Sequence, residues 1–485
     1  MAFDKTPGQS TYQTKDIKLL QQWETRDKTN AKDNDTINCF YEVIKNKTTE
    51  DKEYYVVSRD GSVTYPYVVP STNIRGIYYW EDQNKLFVAY DTSIAVITAN
   101  TGVLVTTIAP GFAAGSTEVG FTEFNYDVGT TKLVVTNGTV LGTIDTANTF
   151  VASTDPDLPV PHVPTPVFLD GYVFLVKSGT ADIYNSNLND PLLYTAGNFI
   201  TAEMLPDTLV RLERLNNYLI AFGSASIEYF WDAGIATGSP LQRNDTPVKL
   251  VGYVGGIAHW GNKIYFVGNT STTGPELYVL DDLKIEDLGL PPLRRYLEPF
   301  STGLYGSTFS NGGHDFYALT VGTLTYVVDL ETKLWTRFAY KAQTNFPIKF
   351  SLTLPFTGYG NTSLFVLDGV ATMSSFRAGV FLDDGVDFSP TVITDPLMFS
   401  TYRKKFGGRL SILADRPTNT AYITVYWSDD DYQTWSAGRQ VALNQEYPAL
   451  NALGSFRRRA HKFIHTGNAQ MRLQKAEIDV NMGAR

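Results

Sequence analysis

Two histidines four residues apart are the first place in this chain to look for chemistry. His461 and His465, in the run RRRAHKFIHT, would share a metal ion if they lay on one face of a helix. Their neighbours read as a strand, and on a strand two such rings stand about 13 Å apart, too far for one ion. His162, His259 and His314 are each isolated in sequence, and Cys39 is the single cysteine. A disulfide frame and a CxxC zinc pattern are therefore excluded, and folding in a reducing compartment fits. GxSxG, GxxxxGK[ST] and a GxGxxG after a strand are absent, which removes the standard hydrolase, nucleotide and dinucleotide fingerprints. Carboxylates are harder to dismiss, because glycosidase pairs are brought together by the fold and not by spacing; Glu228 with Asp232 is one such pairing to test. No catalytic residue, cofactor or metal is assigned.

Two further motifs invite a binding role. Ser428–Trp435 reads SDDDYQTW, close to the S-x-D-x-G-x-T-W Asp-box of sialidases and other β proteins, with Tyr432 where the box has its turn glycine. The box is a hairpin device in which Ser and Asp side chains bond turn amides, so its expected use is structural. Arg403, Lys404 and Lys405 form one basic run and Arg457, Arg458 and Arg459 another. Both are candidate interface residues that would meet acid on a partner subunit or a phosphate backbone. Alternation along a strand sends Arg458 to the face opposite its neighbours, so one of that trio is expected to be structural.

The elements that must position these residues are strands. The chain has 485 residues, 43% of them hydrophobic, with 29 Tyr, 28 Phe and 39 Gly, a balance that suits many short strands and turns. Helical periodicity is scarce; Thr14 to Thr25, with Ile17, Leu20 and Trp23 on one face after Asp16, is the one stretch that predicts a short helix. Seven hairpins follow one pattern: KLFVAYDTSIAVI, KLVVTNGTVLGTI, YVFLVKSGTADIY, YLIAFGSASIEYF, KIYFVGNTSTTGPELYVL, DFYALTVGTLTYVV and SLFVLDGVATMSS. With Leu86, Leu133, Val173, Leu219, Ile264, Phe316 and Leu364 as equivalent anchors, the spacings are 47, 40, 46, 45, 52 and 48 residues. A propeller blade has a period of about 40–50 residues, and a lone blade must pack against neighbours to cover both faces.

The expected fold is all-β, a six- or seven-bladed β-propeller followed by a small C-terminal β-sandwich-like domain. Residues 1–70 form an N-terminal arm and strands, with FYEVI at 40–44 and the strands at 54–69 placed to close the propeller. Residues 71–395 form the propeller and 396–485 the C-terminal domain, whose strands include RLSILA, AYITVYW and QKAEIDV. Charge divides in the same way: residues 401–485 carry 13 Lys or Arg against 7 Asp or Glu, a net of +6, within a chain whose 40 basic and 50 acidic residues give −10. An acidic chain argues against tight phosphate binding. Met1 to Lys18 is polar and lacks the apolar core of a secretory signal, and no apolar run approaches a membrane span.

From Asn198 the chain reads NFITAEMLPDTLVRLERLNNYLIAFGSASIEYFWDAG and then SPLQRNDTPVKLVGYVGGIAHWGNKIYFVGN. The points that matter are Ala202-Glu203 with Pro206-Asp207, Phe222-Gly223 with Ser226 to Glu228, Pro240 with Arg243, and Gly268. With HDFYALTVGTLTYVVDLETKLWTRF, YWSDDDYQTWS and LGSFRRRAHKF, this order resembles the tail hub, or nozzle, family of short-tailed bacteriophages (podoviruses), also called packaged-DNA stabilisation proteins. The resemblance covers roughly residues 198–485. It implies a virion tail protein assembled in the host cytoplasm, not an enzyme. Its partners would be other copies of itself in a hexameric ring, the adaptor of the head-tail connector, and tail fibre, spike or needle proteins. Packaged DNA would pass through the lumen without sequence-specific binding. The rival readings are a propeller glycoside hydrolase or sialidase-like enzyme, and a sugar-binding propeller.

Overall fold

Each of the seven hairpins forms the second and third strands of a four-stranded antiparallel unit in the computed structural model, which describes residues 12–20, 34–45, 52–125, 131–358 and 360–483. The second strands are Lys85–Tyr90, Lys132–Thr136, Tyr172–Val176, Tyr218–Gly223, Lys263–Asn269, His314–Val321 and Gly360–Leu367. We number the units 1 to 7 in this order. All seven anchors, from Leu86 to Leu364, are fully buried. They mark the same place in each unit, the strand covered on both faces by neighbouring sheets. Alternation explains how: Leu86 and Val88 face unit 7, packing with Leu364 and Val366, while Phe87 and Ala89 face unit 2, packing with Leu133 and Val135.

Seven such hydrophobic clusters, each shared by two consecutive units, complete the circle. The innermost strands are Ile74–Trp80, Gly120–Phe124, Val167–Leu169, Leu209–Leu215, Gly252–Trp260, Leu304–Asn311 and Ile348–Phe356. They crowd the axis: a Cβ on Gly306 would sit 2.0 Å from the Gly256 carbonyl oxygen, so only glycine fits there. Six units are free-standing four-stranded sheets. Unit 6 instead continues from Trp335–Arg337 through Asp35–Ile37 and Thr391–Ile393 into a nine-stranded sheet.

The ring is closed by the N-terminal region, whose strand Ser62–Val68 pairs with Thr372–Phe376 as the outer strand of unit 7. FYEVI departs from the expected place. Cys39–Lys45 pairs with Lys52–Ser58 in a seven-stranded sheet with Arg472–Met482 and Lys405–Ala414. That sheet packs on the outer half of the nine-stranded one, and Tyr41, Val56, Leu410, Ile412 and Ile478 meet Val392, Ile423, Val425 and Phe463 in a single core.

The expected helix at Thr14 to Thr25 is corrected. Gln13–Ile17 is a strand paired with Arg472–Met482, and it buries Ile17 in this core. Apolar residues at 17 and 20 suit a helix face, but a partner strand offering a full ladder of backbone hydrogen bonds overrides so short a pattern. The remainder of that stretch, from residue 21, lies outside the described residues.

Candidate functional site

Of the residues that set this sequence apart from a generic propeller, Ala202 to Arg243 lie on unit 4 and the connector leading into it, while Gly268 lies on the second strand of unit 5. The Asp207 carboxylate accepts from the N–H groups of Ala225 (2.8 Å) and Ser226 (3.0 Å) and from the Ser226 hydroxyl (3.3 Å). It holds the turn between the second and third strands. A Cβ on Gly223 would stand 2.3 Å from Asp207 Oδ2, and the Gly223 N–H donates to the Ser226 carbonyl at 2.8 Å. Glu228 is fully buried; Oε1 accepts from the Met204 N–H at 3.0 Å and Oε2 faces Arg243 at 3.5 Å. Burial raises its pKa against the pull of these partners. The Pro240 carbonyl accepts from the Ala233 N–H at 2.9 Å. The motif ties the 202–207 connector to the body of unit 4. Glu228 and Asp232 form no acid pair: they lie on one strand roughly 13 Å apart, and Asp232 caps the Gly234 N–H at 2.8 Å.

At the axis the innermost strands line an open cavity of about 690 Å³ whose walls include Arg75, Tyr78, Glu118, Arg211, Tyr253, His259, Tyr305 and Lys349. Arg211 sits between two acids, Glu213 at 2.5 Å and Glu118 at 3.4 Å, and His259 Nε2 is 2.9 Å from the other Glu213 oxygen. Burial alone would raise the Glu213 carboxyl, but Arg211 and His259 bring it down to about 2. Arg75 is held differently. Its guanidinium, nine-tenths buried, donates to the carbonyls of Thr117 (2.7 Å), Ala113 (3.0 Å) and Asp91, with no carboxylate in hydrogen-bonding contact. Sequence reasoning missed this cavity. The available signal was a charged residue near the start of an innermost strand, as in Arg75 of IRGIYYW, where a buried face calls for an apolar one.

In the C-terminal part the sequence motifs resolve into structural parts. Asp430 accepts from the Ser428 hydroxyl (2.8 Å), the Thr434 N–H (3.0 Å) and the Thr434 hydroxyl (2.5 Å), which hold its carboxyl down at about 2. Tyr432 takes the glycine position with a left-handed φ of 64°, and its buried ring donates a hydroxyl hydrogen bond to the Thr394 carbonyl at 2.8 Å. His461 and His465 lie on the strand Ala460–Thr466, both buried, and burial pulls them down to about 3 and about 4, so both are neutral. Among the described residues, no cluster of three or more His, Cys, Asp or Glu side chains could hold a metal. Burial pushes the Cys39 thiol far above its ordinary value, which makes it inert.

The six basic residues divide. Lys405 is fully buried and donates to the carbonyls of Thr401 (2.5 Å), Arg403 (3.0 Å) and Arg457 (2.7 Å). Arg459, only 2% exposed, makes a fork with Asp429 at 2.7 Å on both arms and lies over the rings of Phe456 and Trp427. Both are removed from the interface set, because the lysine has all three donors taken by carbonyls and the arginine is buried and held by its carboxylate fork, so neither reaches the surface. Arg403, Lys404 and Arg457 are exposed, and the half-buried Arg458 pairs with Asp431 at 2.6 Å. Tyr402 and Phe406, 65% and 44% exposed, stand among them.

A closed ring of radial sheets, with a structural latch as its distinguishing motif, defines a β-propeller scaffold. The family model for the bacteriophage P22 Gp10 β-propeller matches residues 44–329, well over half of the chain, and the chain belongs to that phage-stabilisation family of tail nozzle proteins. No curated protein sequence matches it. Among solved structures, virginiamycin B lyase from Staphylococcus aureus is similar with a TM-score of 0.45 and 10% identity, over 67% of this chain and 99% of that one. BamB from Moraxella catarrhalis is similar with a TM-score of 0.35 and 11% identity, over 71% and 99%. At this level of likeness nothing of their activities transfers.

Proposed function

We propose that this chain is the structural subunit of a phage tail nozzle, a homohexameric ring below the portal and adaptor that retains packaged DNA and forms the channel through which it leaves. The observation that carries the reading is the family match over residues 44–329, together with the reduction of the chain's distinguishing motif to a latch that does no chemistry. Charge supports it: a chain of net −10 repels DNA that must slide past, while residues 401–485 carry a net +6 whose exposed members, Arg403, Lys404 and Arg457, can meet acidic neighbours. Arg403, Lys404, Arg457 and Arg458, with Tyr402 and Phe406, form a surface of the composition that protein interfaces favour, and a closed ring needs such a patch to meet a different one on the next copy. The N-terminal segment 1–70 is the second contact region. The test is DNA retention. Capsids filled in the absence of this protein are expected to lose their genome and to keep it when purified protein is added back, whereas equal DNA content with and without it refutes the reading.

A further inference from the structure

We infer that the axial cavity is a binding site for a small organic oxyanion, a carboxylate or phosphate ester, held by Arg75 and Lys349 against the ring of Tyr305. Three cations, Arg75, Arg211 and Lys349, and one carboxylate, Glu118, line this cavity in a chain that is otherwise acidic. Glu118 pairs with Arg211, and Glu213 is shared between Arg211 and His259. The positive charge left over belongs to the other two. Arg75 is oriented by three carbonyls, which accept its protons without neutralising its charge, and the carboxylate of the nearby Asp91 accepts from the Asn73 amide at 3.2 Å. Lys349 has a single carboxylate partner, Asp368 at 3.5 Å, which is 45% exposed and therefore screened by water. The Lys349 ammonium lies 5.9 Å from the centre of the Tyr305 ring and 5.6 Å from that of Phe350.

The Asp91 carboxylate acts on the buried Arg75 guanidinium only through space, so an anion that hydrogen-bonds it directly adds stabilisation that no carboxylate of the chain supplies. The aromatic walls add a flat apolar surface, so an anion carrying an organic body fits better than a bare ion. The volume of about 690 Å³ accommodates a molecule of metabolite size. The inference is independent of the ring proposed above and stands or falls on the isolated subunit.

Calorimetric titration of the full chain at constant ionic strength tests it, with citrate, adenosine monophosphate and inorganic phosphate as anionic probes and choline as the cationic control. Saturable binding of citrate or adenosine monophosphate is expected, with phosphate weaker by tenfold or more and no heat from choline. Lys349→Met, whose neighbour Asp368 is solvated, is expected to fold and to weaken binding at least tenfold; Arg75→Met should abolish it, and Lys349→Met keeps the test valid if Arg75→Met does not fold. Absence of saturable binding by all three anions, or equal affinity in Lys349→Met, overturns the inference.

Discussion

Asp207 illustrates what the distinguishing residues do. It satisfies two backbone donors and a hydroxyl in a turn too tight for any residue but glycine at 223. Asp207→Ala leaves those donors partly unpaired and is expected to lower the unfolding free energy by about 1–3 kcal/mol in a denaturant titration, with no change in subunit contacts. His314 is a second case. Its Nδ1 is 2.7 Å from the Asp329 carboxylate, which raises the imidazole above its ordinary 6.5; burial would raise Asp329 itself, but His314 and the amides of Thr332 and Glu331 hold it below 3.8. The histidine's contribution is full below pH 6.5 and fades as pH climbs through its raised folded value. The carboxylate's contribution is full above pH 3.8 and fades as pH falls through its depressed folded value. The stability difference between the wild type and His314→Gln is therefore expected to peak between pH 3.8 and 6.5 and to shrink in alkaline solution. A difference independent of pH contradicts the assignment.

At the scale of elements the closure of the ring is the weak point, because the last unit borrows its outer strand from residues 62–68. A buried ion pair clasps this junction. Arg59 forks onto Asp383 at 2.8 and 2.5 Å, donates to the carbonyls of Asp60 and Ala339, and lies 3.9 Å from the centre of the Phe388 ring. Asp383→Asn strands that charge in the core and is expected to cost about 3–5 kcal/mol by thermal or chemical unfolding. Lys263→Ala, which breaks an exposed pair with Asp281, should cost under about 1 kcal/mol. Removal of residues 1–69 is expected to leave unit 7 with a bare edge and the chain insoluble. The closing role of a strand within 54–69 was legible in its place before the first hairpin, but the register and the clasp were not. The seven hairpins announced themselves because each repeats an apolar period-2 pattern about a turn, whereas the register in which Ser62–Val68 pairs with a strand some three hundred residues later leaves no local trace. The same holds for Cys39–Lys45, whose apolar face suits a propeller blade and a sandwich equally, and for Arg59, whose partner lies far along the chain. In the basic runs, alternation set Arg458 apart, but the three arginines lie between strands, where alternation does not apply, and it is Arg459 that is buried, as is Lys405 of the other run.

The whole molecule joins two devices: a ring of sheets that is rigid because every face is shared, and a sandwich, woven from both ends of the chain, that carries the basic surface. In the proposed nozzle the second device would do its work by contact with other copies. Those contacts are expected to weaken with salt, since the surface around Arg403, Lys404 and Arg457 is charged and exposed, and a triple Ala substitution there should reduce assembly severalfold by light scattering while leaving the melting temperature unchanged. The most direct test is electron microscopy of the purified protein bound to the portal and adaptor of its own virion. A closed ring of six copies is expected, with the basic surface of one against the next. Single copies scattered on the adaptor, or a ring whose subunit junctions leave that surface in solvent, contradict it.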